Sequence, residues 1–288
     1  MPFGTRQLTP LIHKIEGFVA LSDIERTLLR EISEDGRRAE PRTALIEEGD
    51  EPLGAFLILE GLAYRYKQRR SGRRQITALL IPGDVGNLDA PLRSRMDHSI
   101  GIFSSCRFVW LTPETIKRLQ QHPNIAHALR MSTLVDEATL HEWLLNVGGR
   151  SSLERLAHLF CELYLRYQTI GWARGQSYEL PLAQADLADL TGMSCVHVNR
   201  TLQELRRRRL IDLKNRRVSI LDWEGLKALA EFDTSYLHLA GGRNGSISDD
   251  LPLRLGGAEP GNRRTPEGGD FTLDPLKHSE RRSHNFYP

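Results

Sequence analysis

Four glycines, Gly49, Gly61, Gly72 and Gly83, recur every 11 or 12 residues, and that spacing constrains the N-terminal part of the chain more than any other feature. Between and after them lie short runs rich in β-forming residues: AFLILE (55–60), LAYRYKQ (62–68), RQITALLI (74–81), HSIGIFSS (98–105) and RFVWLT (107–112). Short strands at this turn spacing build an antiparallel barrel or sandwich. Turn geometry alone accounts for the glycines, because a positive φ costs little without a Cβ. Ahead of them, residues 8–35 read as short amphipathic helices. Ser22 is placed to cap DIERTLLREI, and Glu25 three positions on completes a capping box.

After the strands the pattern changes period. Residues 113–147 contain a long helix, roughly Pro123 to Leu145. Ala128, Met131, Val135, Ala138 and Leu145 form a near-heptad stripe, and Leu134 and Leu144 lie on another side. Two apolar sides imply a helix that covers the β domain and also meets a partner helix, with the stripe through Met131, Val135 and Ala138 at the two-fold seam. GGRS (148–151) reads as a hinge, and SSLERLAHLFCELYLRY as a further amphipathic helix. Residues 241–288 hold 13 Gly or Pro among 48, with no apolar period, and are expected to be a disordered tail.

The segment from Met193 to Arg217 carries eight Lys or Arg and two acids in a chain whose net charge is only +2. Around it, LPLAQADLADLTGMSCVHVNRTLQELRRRRLI divides into helix, turn and helix. The first helix runs from about Ala183 to Leu190, Gly192 supplies a left-handed stop, and Ser194 caps the second helix. Val198, Leu202 and Leu205 recur at i, i+4 and i+7 and face the core. The opposite face presents Val196, Asn199, Arg200, Gln203 and Arg207, flanked by Ser194, Cys195 and His197, with Gln184 opening the first helix. Arg suits guanine, Asn or Gln suits adenine, and a small apolar group suits the thymine methyl. A merely solvated helix would alternate Lys with Glu. LIDLKNRRVSIL then reads as two strands around a basic turn, with Lys214, Arg216 and Arg217 suited to phosphates.

Other functions lack support. The sequence has no GxSxG, Walker or GxGxxG motif, and His141-Glu142 lacks the second histidine of HExxH because position 145 is leucine. Catalytic and metal-binding residues are therefore assigned nowhere, and the protein is not expected to be an enzyme. The three cysteines, Cys106, Cys161 and Cys195, are isolated and odd in number, against a disulfide framework. MPFGTRQLTP has no signal-peptide run, and no stretch approaches about 18 apolar residues, so a cytoplasmic protein off the membrane is expected.

With these motifs in hand, the chain resembles the Crp/Fnr family of bacterial transcription regulators over about residues 8–230. The match rests on "EEGDEPLGAFLILEGLAYRYKQ", "IPGDVGNL", the long helix and "DLADLTGMSCVHVNRTLQELRRRRLIDLKNRRVSILD". The resemblance implies an α+β chain. Its parts are an antiparallel, jelly-roll-like β-roll of cyclic-nucleotide-binding type (1–112), a dimerisation helix (113–147), a winged helix-turn-helix (148–240) and the tail (241–288). By that analogy Arg200 matches the arginine that reads guanine.

The departures bear on the effector. Where cyclic-nucleotide binders of the family carry Gly-Glu for the ribose, this chain has Gly86-Asn87 followed by Leu88. Where they carry Arg-Ser/Thr-Ala for the phosphate, it has Met96, Asp97 and His98, with Arg95 one position away. An acid in a phosphate cradle opposes the ligand's charge, so a cyclic nucleotide is not expected. No cysteine precedes Cys106, which removes the N-terminal cysteine cluster of the iron–sulfur branch. Haem stays open, and the effector is unknown. Val196 stands where relatives have a cytosine-reading glutamate, and Arg209 where many have glycine, at about 1 kcal/mol if left-handed. The expectation is a homodimeric regulator that reads an inverted repeat in double-stranded DNA, with RNA polymerase as a further partner. The alternative is a cyclic-nucleotide-responsive sensor whose main output is not DNA binding.

Overall fold

The computed structural model describes residues 9–239. The tail expected at 241–288 lies outside them.

Helices α1 (Pro10–Glu16) and α2 (Asp23–Glu34) open the described chain. The capping box forms as expected: Glu25 N donates to Ser22 Oγ at 3.3 Å and Ser22 N to Glu25 Oε2 at 2.8 Å. Eight strands follow: β1 (Arg37–Ala39), β2 (Ala44–Ile46), β3 (Ala55–Glu60), β4 (Ala63–Gln68), β5 (Arg74–Leu80), β6 (Val85–Gly86), β7 (Ser99–Ile102) and β8 (Cys106–Leu111). They pair antiparallel in two four-stranded sheets, ordered β1-β8-β3-β6 and β2-β7-β4-β5. The two- and three-residue strands β1, β2 and β6 carry no period and were not anticipated.

Strand β3 shows why AFLILE is apolar at every position but the last. Phe56 and Ile58 point between the sheets, where they meet Leu80, Ile100, Ile102 and Phe108. Ala55, Leu57 and Leu59 point outward into a second cluster with α1, α2 and the helices beyond β8. A strand buried on both faces loses its alternation. The recurring glycines serve the connections: Gly61 has φ 87°, and a Cβ there would meet the Ser105 carbonyl.

The long helix expected from Pro123 forms, and a separate short helix precedes it. α3 (Pro113–Gln120) stops before Pro123, which starts α4 (Pro123–Gly148). Proline disfavours helical backbone in the residue before it, so the helix restarts there. The near-heptad stripe on α4 is split between two faces: Ala128 and Val135 are buried within the chain, and Leu145 is exposed. Val135 is 8% exposed and packs inside the same chain, in the cluster that holds Ile76 and Leu79. Leu134 and Leu144, at 52% and 71%, face outward with Leu140 and Leu145. The reason is that the buried seam runs through Ser132, Thr139 and Asn146, small polar residues that a count of apolar positions leaves out.

Helix α5 (Ser152–Thr169) follows α4 after a three-residue connection and is buried along most of its length. It forms the centre of the C-terminal half: β9 (Ser177–Glu179), α6 (Gln184–Thr191), α7 (Cys195–Arg207), β10 (Ile211–Lys214), β11 (Arg217–Ile220) and α8 (Trp223–Ala230). The three strands pair in the order β10-β11-β9. Asp84, buried after Gly83, ties α1 and α5 to the roll through Lys14 and Arg166, each at 2.7 Å. Burial pushes its carboxyl up, but those two cations outweigh burial and hold it below the usual range.

Candidate nucleic-acid interface

The turn between α6 and α7 is set by two residues. Gly192 stops α6 with φ 70°, a left-handed conformation. Ser194 accepts from His197 N at 3.2 Å and starts α7. Val198, Leu202 and Leu205 are buried, which fixes the rotation of α7 and turns the other face to solvent. Val196 (65% exposed), Asn199, Arg200, Gln203 and Arg207 are all exposed on it, with Ser194, Cys195 and His197 around its N-terminal turn.

The side chains on that face are not equivalent. Asn199 Nδ2 donates to Gln184 Oε1 at 3.3 Å, so the first helix helps to orient the second. Arg207 is bonded to Glu204 at 2.7 and 2.8 Å, and Arg208 joins the same carboxylate at 2.7 Å. Those two guanidinium groups pull the Glu204 carboxyl down to about 2. Arg206 Nη2 donates to the Leu213 carbonyl at 2.6 Å, tying α7 to β10. Arg200 and Gln203 are exposed and make no side-chain hydrogen bond or ion pair among the described residues.

The hairpin after α7 has the expected geometry. Asn215 (φ 51°) and Arg216 (φ 59°) are both left-handed, the requirement of a two-residue I′ turn between twisted strands. Lys214 and Arg216 are exposed, while Arg217 donates to Glu179 Oε1 at 3.0 Å on β9. The third strand, which was not anticipated, thus engages one of the three wing cations. Arg209 does adopt the strained left-handed conformation, φ 56°.

Charged ties that are invisible in local spacing position this unit. Arg74 of β5 reaches Asp189 at 2.8 Å and Asp186 at 3.3 Å on α6, and its Nη1 donates to the Tyr64 hydroxyl at 2.6 Å. Arg155 donates to the carbonyls of Thr191 (2.5 Å), Val147 (3.0 Å) and Arg150 (3.0 Å), joining the ends of α4 and α6.

In the roll, the expected effector residues divide. Gly86, Asn87, Asp97 and His98 come together. His98 Nε2 lies 2.9 Å from Asn87 Oδ1, and Nδ1 lies 2.6 Å from Asp97 Oδ1. Burial and the Arg65 charge hold the His98 pKa below its ordinary value. Arg95 turns away, its Nη1 donating to the Gly49 carbonyl at 2.8 Å. Leu88 packs against the outer cluster rather than into the cradle.

A family model described as a Crp-like helix-turn-helix domain matches residues 154–229, the stretch from α5 to α8. The transcriptional activatory protein AadR of Rhodopseudomonas palustris is 27% identical over 199 residues, covering 66% of this chain and 79% of its own length. The nitrogen fixation regulation protein FixK of Bradyrhizobium diazoefficiens is 25% identical over 212 residues, covering 73% and 88%. Among solved structures, FixK2 from Bradyrhizobium japonicum superposes with a TM-score of 0.60 at 20% identity, over 67% of this chain and 96% of that one. A CRP-family transcriptional regulator from Thermus thermophilus gives 0.55 at 20% identity, over 68% and 97%.

Fold and site together define a DNA-binding transcription regulator built from a β-roll and a winged helix-turn-helix. Residues 154–229 match the Crp-like helix-turn-helix model, and the chain as a whole is similar to regulators of the Crp/Fnr type. No described helix is long and apolar enough to cross a membrane.

Proposed function

We propose that the protein acts in the cytoplasm as a homodimer that sets one α7 helix per subunit into the major groove of an inverted repeat. The observation that carries this reading is the exposed face of α7, where Arg200 and Gln203 stand unbonded among the described residues and Asn199 is oriented by Gln184. In that arrangement Arg200 reads guanine, Gln203 and Asn199 read adenine, and Val196 meets a thymine methyl in place of a carboxylate that would accept from cytosine. Ser194, Cys195, His197, Lys214 and Arg216 lie where a phosphate backbone passes such a helix and its wing. Arg207 and Arg217 contribute field rather than direct contacts, since each is paired with a carboxylate.

The dimer seam runs along the outward face of α4, through Leu134, Leu140, Leu144 and Leu145. Exposed leucines in this number on one helix call for a partner surface. In this reading residues 1–112 sense, α4 within 113–147 joins the subunits, and 148–240 bind DNA. RNA polymerase is the further partner that such a bound dimer would engage.

The effector of the roll is not a cyclic nucleotide. His98 links Asn87 Oδ1 to Asp97, and Asp97 pairs with Arg93, so in this reading the Asp97 carboxylate stands where a phosphate would need a cation, while Asn87 Nδ2 is left buried without a partner among the described residues. Selection of bound sequences from random duplexes tests the whole reading. A two-fold symmetric consensus with half-sites one helical turn apart supports it, and the absence of any enriched sequence refutes it.

A further inference from the structure

The hairpin between β4 and β5 is the most concentrated charge outside the helix-turn-helix. Residues 67–74, KQRRSGRR, hold five cations and no acid. Two are occupied: Lys67 by the Glu48 carboxylate and the Asp97 carbonyl, and Arg74 by Asp186 and Asp189. Arg69, Arg70 and Arg73 are exposed and make no side-chain hydrogen bond or ion pair among the described residues. Short backbone bonds hold them on one tight tip, from Arg69 N to the Arg73 carbonyl at 2.8 Å and from Gly72 N to the Arg69 carbonyl at 2.9 Å. Three like charges confined to so few residues repel one another. A hairpin tip that only needed solvation would use mixed charges or Asn-Gly.

Their location supplies the missing partner. A groove of about 600 Å³ is lined by Arg69, Gly72 and Arg73 on one side and by Asp189, Gly192 and Met193 on the other. Gln75 Nε2 donates to the Leu190 carbonyl at 3.3 Å, which fixes the hairpin against the end of α6. Gly192 and Met193 form the turn that leads directly into Ser194 and the N-terminus of α7. When a helix-turn-helix docks, its first helix crosses the DNA backbone and the start of its second helix enters the groove. A segment packed beside that turn lies along the edge where phosphates run. Asp186 and Asp189 would repel phosphate there, and Arg74 pairs with both and offsets one of their two charges.

We propose that Arg69, Arg70 and Arg73 form an accessory DNA-backbone site, through which the sensor roll grips phosphates immediately outside the half-site read by α7. The proposal rests on the DNA-binding reading above. It makes the roll part of the binding surface, and it extends the site beyond the bases that α7 and the wing can reach.

The test uses the full chain with Arg69, Arg70 and Arg73 all changed to Ala, and a second variant with all three changed to Lys. Affinity for the selected duplex is measured across salt, once with the half-sites alone and once with extended flanks. The Ala variant should lower the slope of log K against log salt by two to three, since each phosphate contact contributes about 0.9. The loss should be greater on the extended duplex, the preferred bases unchanged, and the Lys variant close to wild type. A wild-type slope in the Ala variant overturns the hairpin site while leaving α7 as the reader. Failure of the Lys variant to restore the slope overturns it too, because the contact would not be one of charge. Loss of transcription in a purified system with DNA affinity and slope intact would assign the arginines to an acidic protein surface and overturn it. If wild-type protein binds no duplex at all, both readings fall together.

Discussion

The Arg74 guanidinium of the β-roll closes on the Asp189 carboxylate of the helix-turn-helix at 2.8 Å, with Asp186 one turn earlier at 3.3 Å. Its carbon also stands over the Tyr64 ring, 4.9 Å from the centroid. A strand of the roll therefore holds the first helix of the helix-turn-helix directly, independently of the connection through α4 and α5. Removing the guanidinium leaves two carboxylates side by side on α6, both without their cation at a partly buried seam. Arg74→Ala should cost about 1–2 kcal/mol after solvent screening and lower the melting temperature by a few degrees. Hydrogen exchange of α6 should rise while β3 stays protected. Unaltered exchange in α6 would show that the contact does not hold the helix.

The two sides of α4 separate assembly from folding. Leu144→Glu places like charges on the exposed face and should halve the mass measured by light scattering, with little change in melting temperature. Val135→Glu instead buries a charge inside one subunit and should destabilise by more than about 3 kcal/mol. A Leu144→Glu protein that keeps the wild-type mass would move the dimer seam elsewhere.

Acid should act through His158. The ring is fully buried on α5, where burial and the Arg150 charge push its pKa down from 6.5 to about 3. Its Nδ1 bonds Asn146 at 3.0 Å, and Nε2 lies 3.3 Å from the Glu142 carboxylate. Between pH 6.5 and 3 the unfolded chain carries a proton that the folded chain refuses, so stability falls as pH drops, by about 1.4 kcal/mol per unit from this one group. His158→Gln should remove that share of the slope. Parallel pH profiles for the two proteins would mean that the native ring is charged and paired with Glu142.

The cradle in the roll should stay closed to cyclic nucleotides. Calorimetric titration with cyclic AMP and cyclic GMP should give no saturable heat in the low micromolar range. Binding at that level would require Asp97 and His98 to swing away and Arg95 to leave the Gly49 carbonyl, and would revive the sensor reading for these ligands.

What could be read from the residues alone was local. The Ser22–Glu25 box, the Gly192 stop, the Ser194 cap and the buried Val198, Leu202 and Leu205 each depend on neighbours within about two helical turns, and each formed as expected. The strands of five or more residues were legible for the same reason. Pairings between distant segments were not. Nothing near Arg74 in sequence points to Asp189, and nothing near Arg217 points to Glu179 on a three-residue strand. On α4 apolar spacing mixed two faces, because the buried side admits Ser132, Thr139 and Asn146 beside Ala128 and Val135 while Leu145 of the same stripe is exposed. In the candidate site the exposed residues of α7 were identified correctly, but not which of them are bonded. Glu204, which restrains Arg207 and Arg208, acts as a local charge partner on the helix itself.

If Arg200 reads a base while Lys214 and Arg216 hold phosphate, the two kinds of contact separate under mutation. The measurement is the affinity of Arg200→Ala and of a Lys214→Ala, Arg216→Ala double variant for the selected inverted repeat and for a scrambled duplex, at two salt concentrations. Arg200→Ala should lose about 1–3 kcal/mol per half-site on the specific duplex, little on the scrambled one, and should relax preference at one base pair. The wing variant should weaken both duplexes alike and lower the salt slope by about two. Equal weakening of both duplexes by Arg200→Ala, with base preference intact, would make Arg200 a backbone contact and contradict this orientation of α7.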